Sequence, residues 1–236
     1  MTIDYFTTSG VLDHNDDSFV AIECSNGSGH VWLGLNGEVA ESIIQFECDD
    51  FVLCAVSDGV GSSVRGGKAS SIVVKELLYT ISDVADSDDC GKALRETVTA
   101  ISDTVIEDLE SEGKATLVGY LQFRGRGYVF NTGDSVAEAF AGGRKYRSLE
   151  HNVCNATGCP PDSPDARKLT EYIGKKNPRV DVDIIPQCDT AAVYSDGLLM
   201  QDILSSELSC RDLAEKSLKE GSEDNITVLV YKSYKP

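Results

Sequence analysis

Short apolar runs separated by turn-forming residues recur along this chain and predict a strand-rich protein. The runs are rich in Val, Ile, Phe and Tyr, and Gly, Asn and Asp bound them, a composition typical of strands and turns. Tight turns such as Arg124-Gly125 favour antiparallel pairing of neighbouring strands. We predict strands over residues 18–24, 30–35, 51–57, 115–123, 126–132, 136–141, 180–185, 189–195 and 225–232.

Two longer segments, 64–82 and 91–111, have apolar residues at helical spacing. In the second of them, Leu94, Val98 and Val105 fall on one helical face. Shorter helices are predicted over 165–173 and over 209–219, where Ser209 is a candidate N-cap. This order of elements predicts an α+β layered fold. Because no linker rich in Pro, Gly or Ser divides the chain, we expect a single domain over residues 1–236.

The net charge of the chain restricts the classes of partner that it can bind. The chain has 236 residues, and 21 basic against 39 acidic side chains give a formal net charge of −18. Such an acidic protein lacks the electrostatic character of nucleic-acid binders and is repelled by anionic membranes, so we expect neutral, basic or cationic partners, metal ions included. The longest apolar run, at 51–56, is far shorter than a membrane span, and the N-terminus shows no secretory signal. We therefore expect a cytoplasmic protein.

Eight cysteines are scattered along the chain without a paired framework. In a reducing compartment, such residues serve as small buried hydrophobes, which is our expectation for them. One cluster allows an alternative, because His151, Cys154 and Cys159 have a spacing that zinc can use if a fourth ligand such as Cys188 comes close. The sequence leaves both interpretations open.

Aspartates follow or precede apolar strands at four places, and they carry the clearest chemical signal. Asp58 and Asp196 are each followed by glycine after a predicted strand, Asp134 follows Gly133, and Asp224 precedes the last strand. One Asp-Gly pair can be a simple turn, but it also places a carboxylate at the rim of a sheet. Two carboxylates about 5 Å apart repel by about 3 kcal/mol at an effective dielectric constant near 20, so a cluster of them favours bound cations. Oxygen ligands select Mg²⁺ or Mn²⁺.

The ordered series of motifs resembles a known family. It comprises His14–Phe19, Asp58–Gly61 with Gly66 and Ala69-Ser70, Gly113–Thr116, Gly133–Ser135, Ser195–Leu198 and Gly221–Val228. Taken together over about residues 7–232, this series resembles the metal-dependent protein phosphatases of type 2C, in a bacterial-like form. The resemblance implies a four-layer α-β-β-α sandwich of two mainly antiparallel sheets flanked by helices. It also implies a binuclear Mn²⁺ or Mg²⁺ site at one edge of the two sheets.

The family's metal ligands can be carried onto positions of this sequence. Asp58 matches the carboxylate that bridges the two metals, and Gly59 matches a backbone carbonyl ligand. Asp196 and Asp224 match the remaining direct ligands of one metal. Asp134 matches a residue linked to a weaker third metal in bacterial members. The resemblance thus implies two metal ions per chain and allows a third.

The resemblance also implies a mechanism. Asp17 matches the acidic residue that holds metal-bound water, and Asp16 stands where the family usually has Glu. A hydroxide shared by two metals attacks the phosphorus of a phosphoserine or phosphothreonine, so no protein nucleophile is needed. General acid help comes from water or from His14. The implied partners are a phosphorylated protein substrate and a cognate serine/threonine kinase, and we expect a monomer.

One departure from the family pattern bears on substrate binding. The family usually has an arginine that grips the substrate phosphate three residues before the Asn-acidic-Asp run, and this chain has Leu12 there. His14, Arg65 and Lys68 are candidate replacement donors. The alternative is a pseudophosphatase that binds a phosphoprotein or a kinase partner without turnover. The long segment between Asp17 and Asp58 also predicts an extra hairpin around Asn36-Gly37.

Overall fold

The computed structural model describes residues 2–160, 163–200 and 203–233. The strands are β1 (Thr2–Thr8), β2 (Ser18–Ser25), β3 (Ser28–Leu35), β4 (Glu38–Gln45), β5 (Phe51–Ser57), β6 (Leu117–Phe123), β7 (Arg126–Thr132), β8 (Val136–Ala141), β9 (Arg144–Arg147), β10 (Asp181–Pro186), β11 (Thr190–Tyr194) and β12 (Ile226–Lys232). The helices are α1 (Gly66–Asp86), α2 (Cys90–Asp108), α3 (Val153–Thr157) and α4 (Cys210–Lys219). A 3₁₀ turn spans Ile203–Ser205.

The strands form two antiparallel sheets. One sheet has five strands in the order β1-β12-β11-β8-β9, and the other has seven in the order β10-β7-β6-β5-β2-β3-β4. Every pairing between the named strands is antiparallel. The central strand β5 is buried along its whole length, as expected for a strand covered on both faces.

Three buried clusters define four layers. The first cluster lies between the seven-stranded sheet and helices α1 and α2, and includes Leu53, Leu77 and Leu94. The second fills the space between the two sheets and includes Tyr120 and Leu229. The third lies between the five-stranded sheet and α4 and contains the residues Val228, Ala214 and Leu213. This arrangement confirms the predicted α+β fold of two antiparallel sheets with helices on the outside.

Local signals explain where the helices begin and end. The side chain of Asp89 accepts a hydrogen bond from the Lys92 N–H and caps α2. Ser209 and Asp212 form a reciprocal capping box at the start of α4, which confirms the predicted N-cap. Helix α2 ends at Asp108, earlier than predicted, because the chain reverses through the left-handed backbone of Glu110 and Ser111. No helix in the described ranges is long and apolar enough to span a bilayer.

The structure also contains elements that the pattern did not predict. Strands β1, β4 and β9 and helix α3 are absent from the predicted ranges, and the helix predicted over 165–173 is wrong. That segment instead forms turns and two isolated bridges, Asn152 with Leu169 and Ala115 with Ile173, which hold it by its backbone. The predicted hairpin around Asn36-Gly37 is confirmed as the β3–β4 turn, with positive φ angles of 50° and 91° at these two residues.

Candidate metal centre

Four aspartates line one pocket of about 420 Å³. Asp58 directly follows β5, Asp134 follows β7, Asp196 follows β11, and Asp224 precedes β12. Because these strand ends meet at one edge of the two sheets, residues distant in sequence come together there. The structure thus brings together the four strand-end carboxylates that the sequence singled out.

Asp17 lies behind this pocket, next to the start of β2, and is 1% exposed. Its Oδ2 accepts a hydrogen bond from the Ser195 hydroxyl at 2.8 Å. Its backbone N–H donates to Asn15 Oδ1 at 3.0 Å, which fixes the turn before the strand. Its other oxygen, Oδ1, is buried and has no hydrogen-bond partner among the described residues. A buried carboxylate oxygen without a partner lowers the stability of the folded state unless a cation or a water molecule binds to it.

The loop after β5 is held on both sides. Thr116 forms two hydrogen bonds with the backbone of Asp58. The Thr116 N–H donates to the Asp58 carbonyl at 2.8 Å, and the Thr116 hydroxyl accepts from the Asp58 N–H at 3.0 Å. The Gly59 N–H donates to the Asp16 carbonyl at 3.2 Å. A Cβ added at Gly59 would lie 2.5 Å from the carbonyl carbon of Gly66, so only glycine fits there. The fold therefore fixes the loop that carries Asp58 and Gly59.

Asn225 connects the Asp224 end of the site to the N-terminal segment. Its Oδ1 accepts from the Asp16 N–H at 2.7 Å, and its Nδ2 donates to the His14 carbonyl at 2.9 Å. Its own N–H donates to Asp224 Oδ1 at 2.8 Å. This amide thus ties two acidic segments that are more than 200 residues apart in the chain and fixes their relative position.

Burial and mutual repulsion raise the pKa values of Asp17, Asp58, Asp134 and Asp196. Burial, together with the charges of Asp196 and Asp224, raises the pKa of Asp17 to about 7, although hydrogen bonds from Thr227 and Ser195 oppose the rise. Burial and the charge of Asp196 raise the pKa of Asp134 to about 8. The site holds more negative charge than its surroundings balance.

Asp58 and Asp196 show the same pattern. Burial raises the pKa of Asp58 well above its ordinary value, and the charges of Asp17 and Asp196 add to the rise. Asp196 is exposed as a residue, but its carboxyl group is surrounded by protein atoms. Burial of this carboxyl group and the charge of Asp224 raise its pKa, and a hydrogen bond with Asp58 and the charge of Arg167 lower it. Divalent cations would relieve this excess charge.

The donor set fits hard divalent cations. Four aspartates line the pocket, and the Oδ1 of the buried Asp17, which has no partner among the described residues, supplies a further oxygen acceptor. In the part of the chain that the structure describes, no three His, Cys, Asp or Glu side chains are already gathered as a complete ligand set. The preference for Mg²⁺ or Mn²⁺ therefore follows from the oxygen chemistry of the donors and not from a preassembled set of ligands.

The three sequence-predicted donors for phosphate lie elsewhere. His14, Arg65 and Lys68 line a separate cleft of about 980 Å³, which adjoins the aspartate pocket at Gly61. His14 Nε2 lies 3.3 Å from Asp16 Oδ2, and Arg65 Nε forms an ion pair with Glu112 at 3.1 Å. The structure does not bring these three side chains into the pocket of the four aspartates.

Three other basic residues line the aspartate pocket, and the sequence pattern did not predict them. They are Lys114, Arg167 and Lys168. Lys114 Nζ lies 5.0 Å from the ring centroid of Tyr172, and Lys168 pairs with Asp165 at 2.6 Å. No motif marks these residues, because they come from the loop before β6 and from the irregular segment between α3 and β10.

The zinc alternative is wrong, because Cys154 and Cys159 form a disulfide. His151 is also engaged, since its Nε2 lies 3.0 Å from Asp181 Oδ2, and Cys188 is buried between the two sheets. The expectation of free thiols fails for Cys154 and Cys159, whereas the other six cysteines are free.

Comparison with known proteins identifies the family. The family model for protein phosphatase 2C matches residues 43–226, most of the chain, so the chain belongs to the protein phosphatase 2C family. No curated protein sequence matches it significantly.

Solved structures support the same fold. The chain is similar over its whole length to a crystal structure of a bacterial serine phosphatase, with 21% identity, a TM-score of 0.76 and 99% of that chain covered. It is similar to the serine/threonine phosphatase Stp1 from Staphylococcus aureus, with 20% identity, a TM-score of 0.77 and coverage of 100% of this chain and 96% of that one. The Mycobacterium tuberculosis serine/threonine phosphatase PstP/Ppp matches with 18% identity, a TM-score of 0.69 and 99% of both chains covered.

Proposed function

We propose that this chain is a metal-dependent serine/threonine protein phosphatase that hydrolyses phosphoserine and phosphothreonine monoesters. The observation that carries the proposal is the meeting of four strand-end carboxylates beside the unpartnered, buried Oδ1 of Asp17. Membership of the protein phosphatase 2C family supports the same reaction class. The proposal treats residues 1–236 as one catalytic domain.

In this proposal, Asp58, the Gly59 carbonyl, Asp196 and Asp224 hold two Mn²⁺ or Mg²⁺ ions, and Asp134 belongs to a third, weaker site. When bound, the ions supply Lewis acidity that activates water and neutralises the charge of the phosphoryl group. Their affinity draws on the excess negative charge of the pocket, which the raised pKa values of Asp17 and Asp134 reflect.

The remaining steps belong to the residues of the chain. Ser195 fixes one oxygen of Asp17, which leaves the other oxygen free to accept a hydrogen bond from the attacking water. Thr116 holds the backbone of Asp58, so the carboxylate stays aimed into the pocket. His14 lies in the neighbouring cleft, so the seryl or threonyl oxygen that leaves phosphorus takes up its proton from solvent.

The decisive experiment measures hydrolysis of p-nitrophenyl phosphate and of a phosphothreonine peptide with and without Mn²⁺. We expect metal-dependent turnover that Asp58→Asn abolishes and that Asp83→Asn, an exposed aspartate on α1, leaves unchanged. At 100 times its dissociation constant, Mn²⁺ adds about 2.7 kcal/mol to the stability of the native state, so the melting temperature rises. Absence of both turnover and a thermal shift at saturating Mn²⁺ and Mg²⁺ would contradict the proposal.

A second candidate is a pseudophosphatase that binds a phosphoprotein or a kinase partner. It is favoured by Leu12, an apolar and partly exposed side chain where the family usually has its phosphate-gripping arginine. Calorimetry with a phosphopeptide separates the two functions. Tight binding without product release supports the pseudophosphatase, and rapid turnover eliminates it. For either function, the proposed partners are a phosphorylated protein and the kinase that phosphorylates it, and the proposed state is a cytoplasmic monomer.

A further inference from the structure

Two pockets meet at the candidate metal centre. The second pocket has a volume of about 460 Å³, lies beside the first, and is lined partly by the disulfide-linked segment after His151. The two pockets share Asp134, Asp196, Asp224 and Arg167. Among the described residues that line both pockets, Arg167 is the one that carries a positive charge, so it lies where the two pockets meet.

The other cations near the site are already engaged. Lys168 pairs with Asp165 at 2.6 Å, Lys114 lies over the ring of Tyr172, and Arg65 pairs with Glu112 in the separate cleft. Arg167, in contrast, is exposed, lines both pockets and interacts electrostatically with Asp196. Its guanidinium group is therefore a basic group that both pockets offer to an anionic ligand.

The backbone around Arg167 is fixed, although its side chain is exposed. The Ala166 N–H donates to the Ser163 carbonyl at 2.9 Å, and the Lys168 N–H donates to the Asp165 carbonyl at 3.1 Å. The Val153 N–H donates to the Lys168 carbonyl at 2.9 Å, which ties this turn to α3. These bonds hold Arg167 at the pocket mouth without a contribution from its side chain.

The charge of Arg167 acts on the site. Its positive charge interacts with the carboxylate of Asp196, which lines both pockets as well. Once divalent cations balance the carboxylates, a phosphate dianion is the ligand that suits a guanidinium group beside them, because the planar fork of donors binds phosphate oxygens in pairs.

The N-terminal segment offers no such donor. Leu12 takes the position of the family's arginine, and the side chains of His14 and Arg65 line the separate cleft. We propose that Arg167 binds the phosphoryl group of the phosphoserine or phosphothreonine substrate, and thereby supplies from the segment between α3 and β10 the contact that Leu12 cannot make. This inference rests on the proposed phosphatase function and names the substrate-binding residue of that site.

The test compares the Mn²⁺-loaded full chain with its Arg167→Ala and Arg167→Lys variants. Arg144→Ala is the matched control, because Arg144 is exposed on β9 and lines neither pocket. Loss of hydrogen bonds to a charged group predicts that Arg167→Ala raises the KM for a phosphothreonine peptide and the inhibition constant for inorganic phosphate by about 10- to 100-fold. We expect kcat to change less, Arg167→Lys to recover part of the loss, and the Mn²⁺ dissociation constant to stay within twofold.

Binding of inorganic phosphate, measured by calorimetry on the Mn²⁺-loaded protein, separates this inference from the proposed function because it needs no turnover. Phosphate binding that Arg167→Ala weakens supports the inference even if the wild-type chain is inactive. The inference is overturned if the wild-type chain binds no phosphate, or if Arg167→Ala behaves like Arg144→Ala. It is also overturned if Arg167→Ala weakens Mn²⁺ binding as much as phosphate binding, since the residue would then only support the metal centre.

Discussion

Ser195 donates its hydroxyl hydrogen to Asp17 Oδ2 over 2.8 Å, and this bond joins the two sheets at the candidate metal centre. Ser195 follows β11 in the five-stranded sheet, and Asp17 precedes β2 in the seven-stranded sheet. The hydroxyl oxygen of Ser195 also accepts from the Thr227 N–H at 3.0 Å, which orients its hydrogen toward the carboxylate. One oxygen of Asp17 is thereby fixed and the other stays available.

We expect Ser195→Ala to weaken Mn²⁺ binding by about 10- to 100-fold, because outer hydrogen bonds that orient a metal-site carboxylate typically contribute that much to affinity. The dissociation constant for Mn²⁺ is measured by isothermal titration calorimetry. Ser28→Ala, an exposed serine at the start of β3, is the control and should bind Mn²⁺ like the wild type. An unchanged affinity in Ser195→Ala would show that Asp17 needs no positioning by this hydroxyl group.

Gly59→Ala should unfold or distort the loop that carries Asp58. The added methyl carbon would lie 2.5 Å from the Gly66 carbonyl carbon and 2.8 Å from the Asp16 carbonyl oxygen, and these backbone atoms cannot move aside cheaply. We expect a loss of about 1–3 kcal/mol in the free energy of unfolding, together with weaker Mn²⁺ binding.

Gly61→Ala is the matched control for this change. It lies two residues away in the same loop, and an added Cβ there meets nothing within 4 Å. Urea unfolding and Mn²⁺ titration of both variants test the prediction. If Gly59→Ala were as stable as Gly61→Ala and bound Mn²⁺ equally well, the close approach of the Asp58 loop to α1 would have no energetic importance.

The parts of the fold that the sequence predicted are those with a strong hydrophobic pattern. Strand β5 is a continuous apolar run because it is covered on both faces, and α2 has a regular apolar face. Strand β4 was missed because nearly all of its residues are exposed, so no alternation marks it. The segment at 165–173 has helical spacing, but bridges to Asn152 and Ala115 replace helical hydrogen bonds.

The residues of the candidate site that directly follow strands could be predicted from the sequence. Asp58 and Asp196 stand next to glycines after apolar runs, so sequence alone singles them out. Arg167 carries no such signal, because it comes from a turn whose place beside the carboxylates depends on long-range backbone contacts. The pairing of Cys154 with Cys159 was also missed, since thiols five residues apart meet only when the chain turns after α3.

Reduction of the Cys154–Cys159 disulfide should destabilise the wall of the second pocket. Closing a loop this short lowers the entropy of the unfolded chain enough to stabilise the native state by about 2 kcal/mol. We expect a lower urea midpoint in dithiothreitol and in the double variant Cys154→Ser/Cys159→Ser, with faster amide exchange in the segment around α3.

Cys48→Ser, which changes a free and half-buried thiol far from this wall, is the control and should keep its sensitivity to dithiothreitol. The double variant should lose that sensitivity. Alkylation and mass measurement of the purified protein count its thiols directly. Because five of the six free thiols are buried, the protein is alkylated after denaturation without reduction, and eight alkylated cysteines would then contradict the pairing.

Asp181 anchors the segment that carries the candidate substrate-binding residue, and its contribution should depend on pH. Arg179 donates two hydrogen bonds to it, both of 2.8 Å, and His151 Nε2 lies 3.0 Å from its Oδ2. Burial alone would raise its pKa, but the hydrogen bonds from Arg179 and His151 outweigh burial and lower the pKa of Asp181. The nearby Glu171 accepts the Arg179 N–H, and its pKa is lowered too, because this bond and Lys175 outweigh the effect of burial.

Because the pKa of Asp181 is lower in the folded state than in the unfolded state, the folded protein binds fewer protons between these two values, and stability rises with pH through that window. The stabilisation is complete above the unfolded pKa of about 3.9 and is lost as the pH falls toward the folded value. Asp181→Asn should therefore lower the free energy of unfolding by about 1 kcal/mol at pH 7 and by progressively less below about pH 4.

Urea unfolding over this pH range measures the difference. The control is Asp183→Asn, which changes an exposed aspartate on the same strand and should hardly alter the free energy of unfolding at any pH. A loss in Asp181→Asn that stays constant down to the lowest pH would mean that the charge of Asp181 does not hold this segment in place.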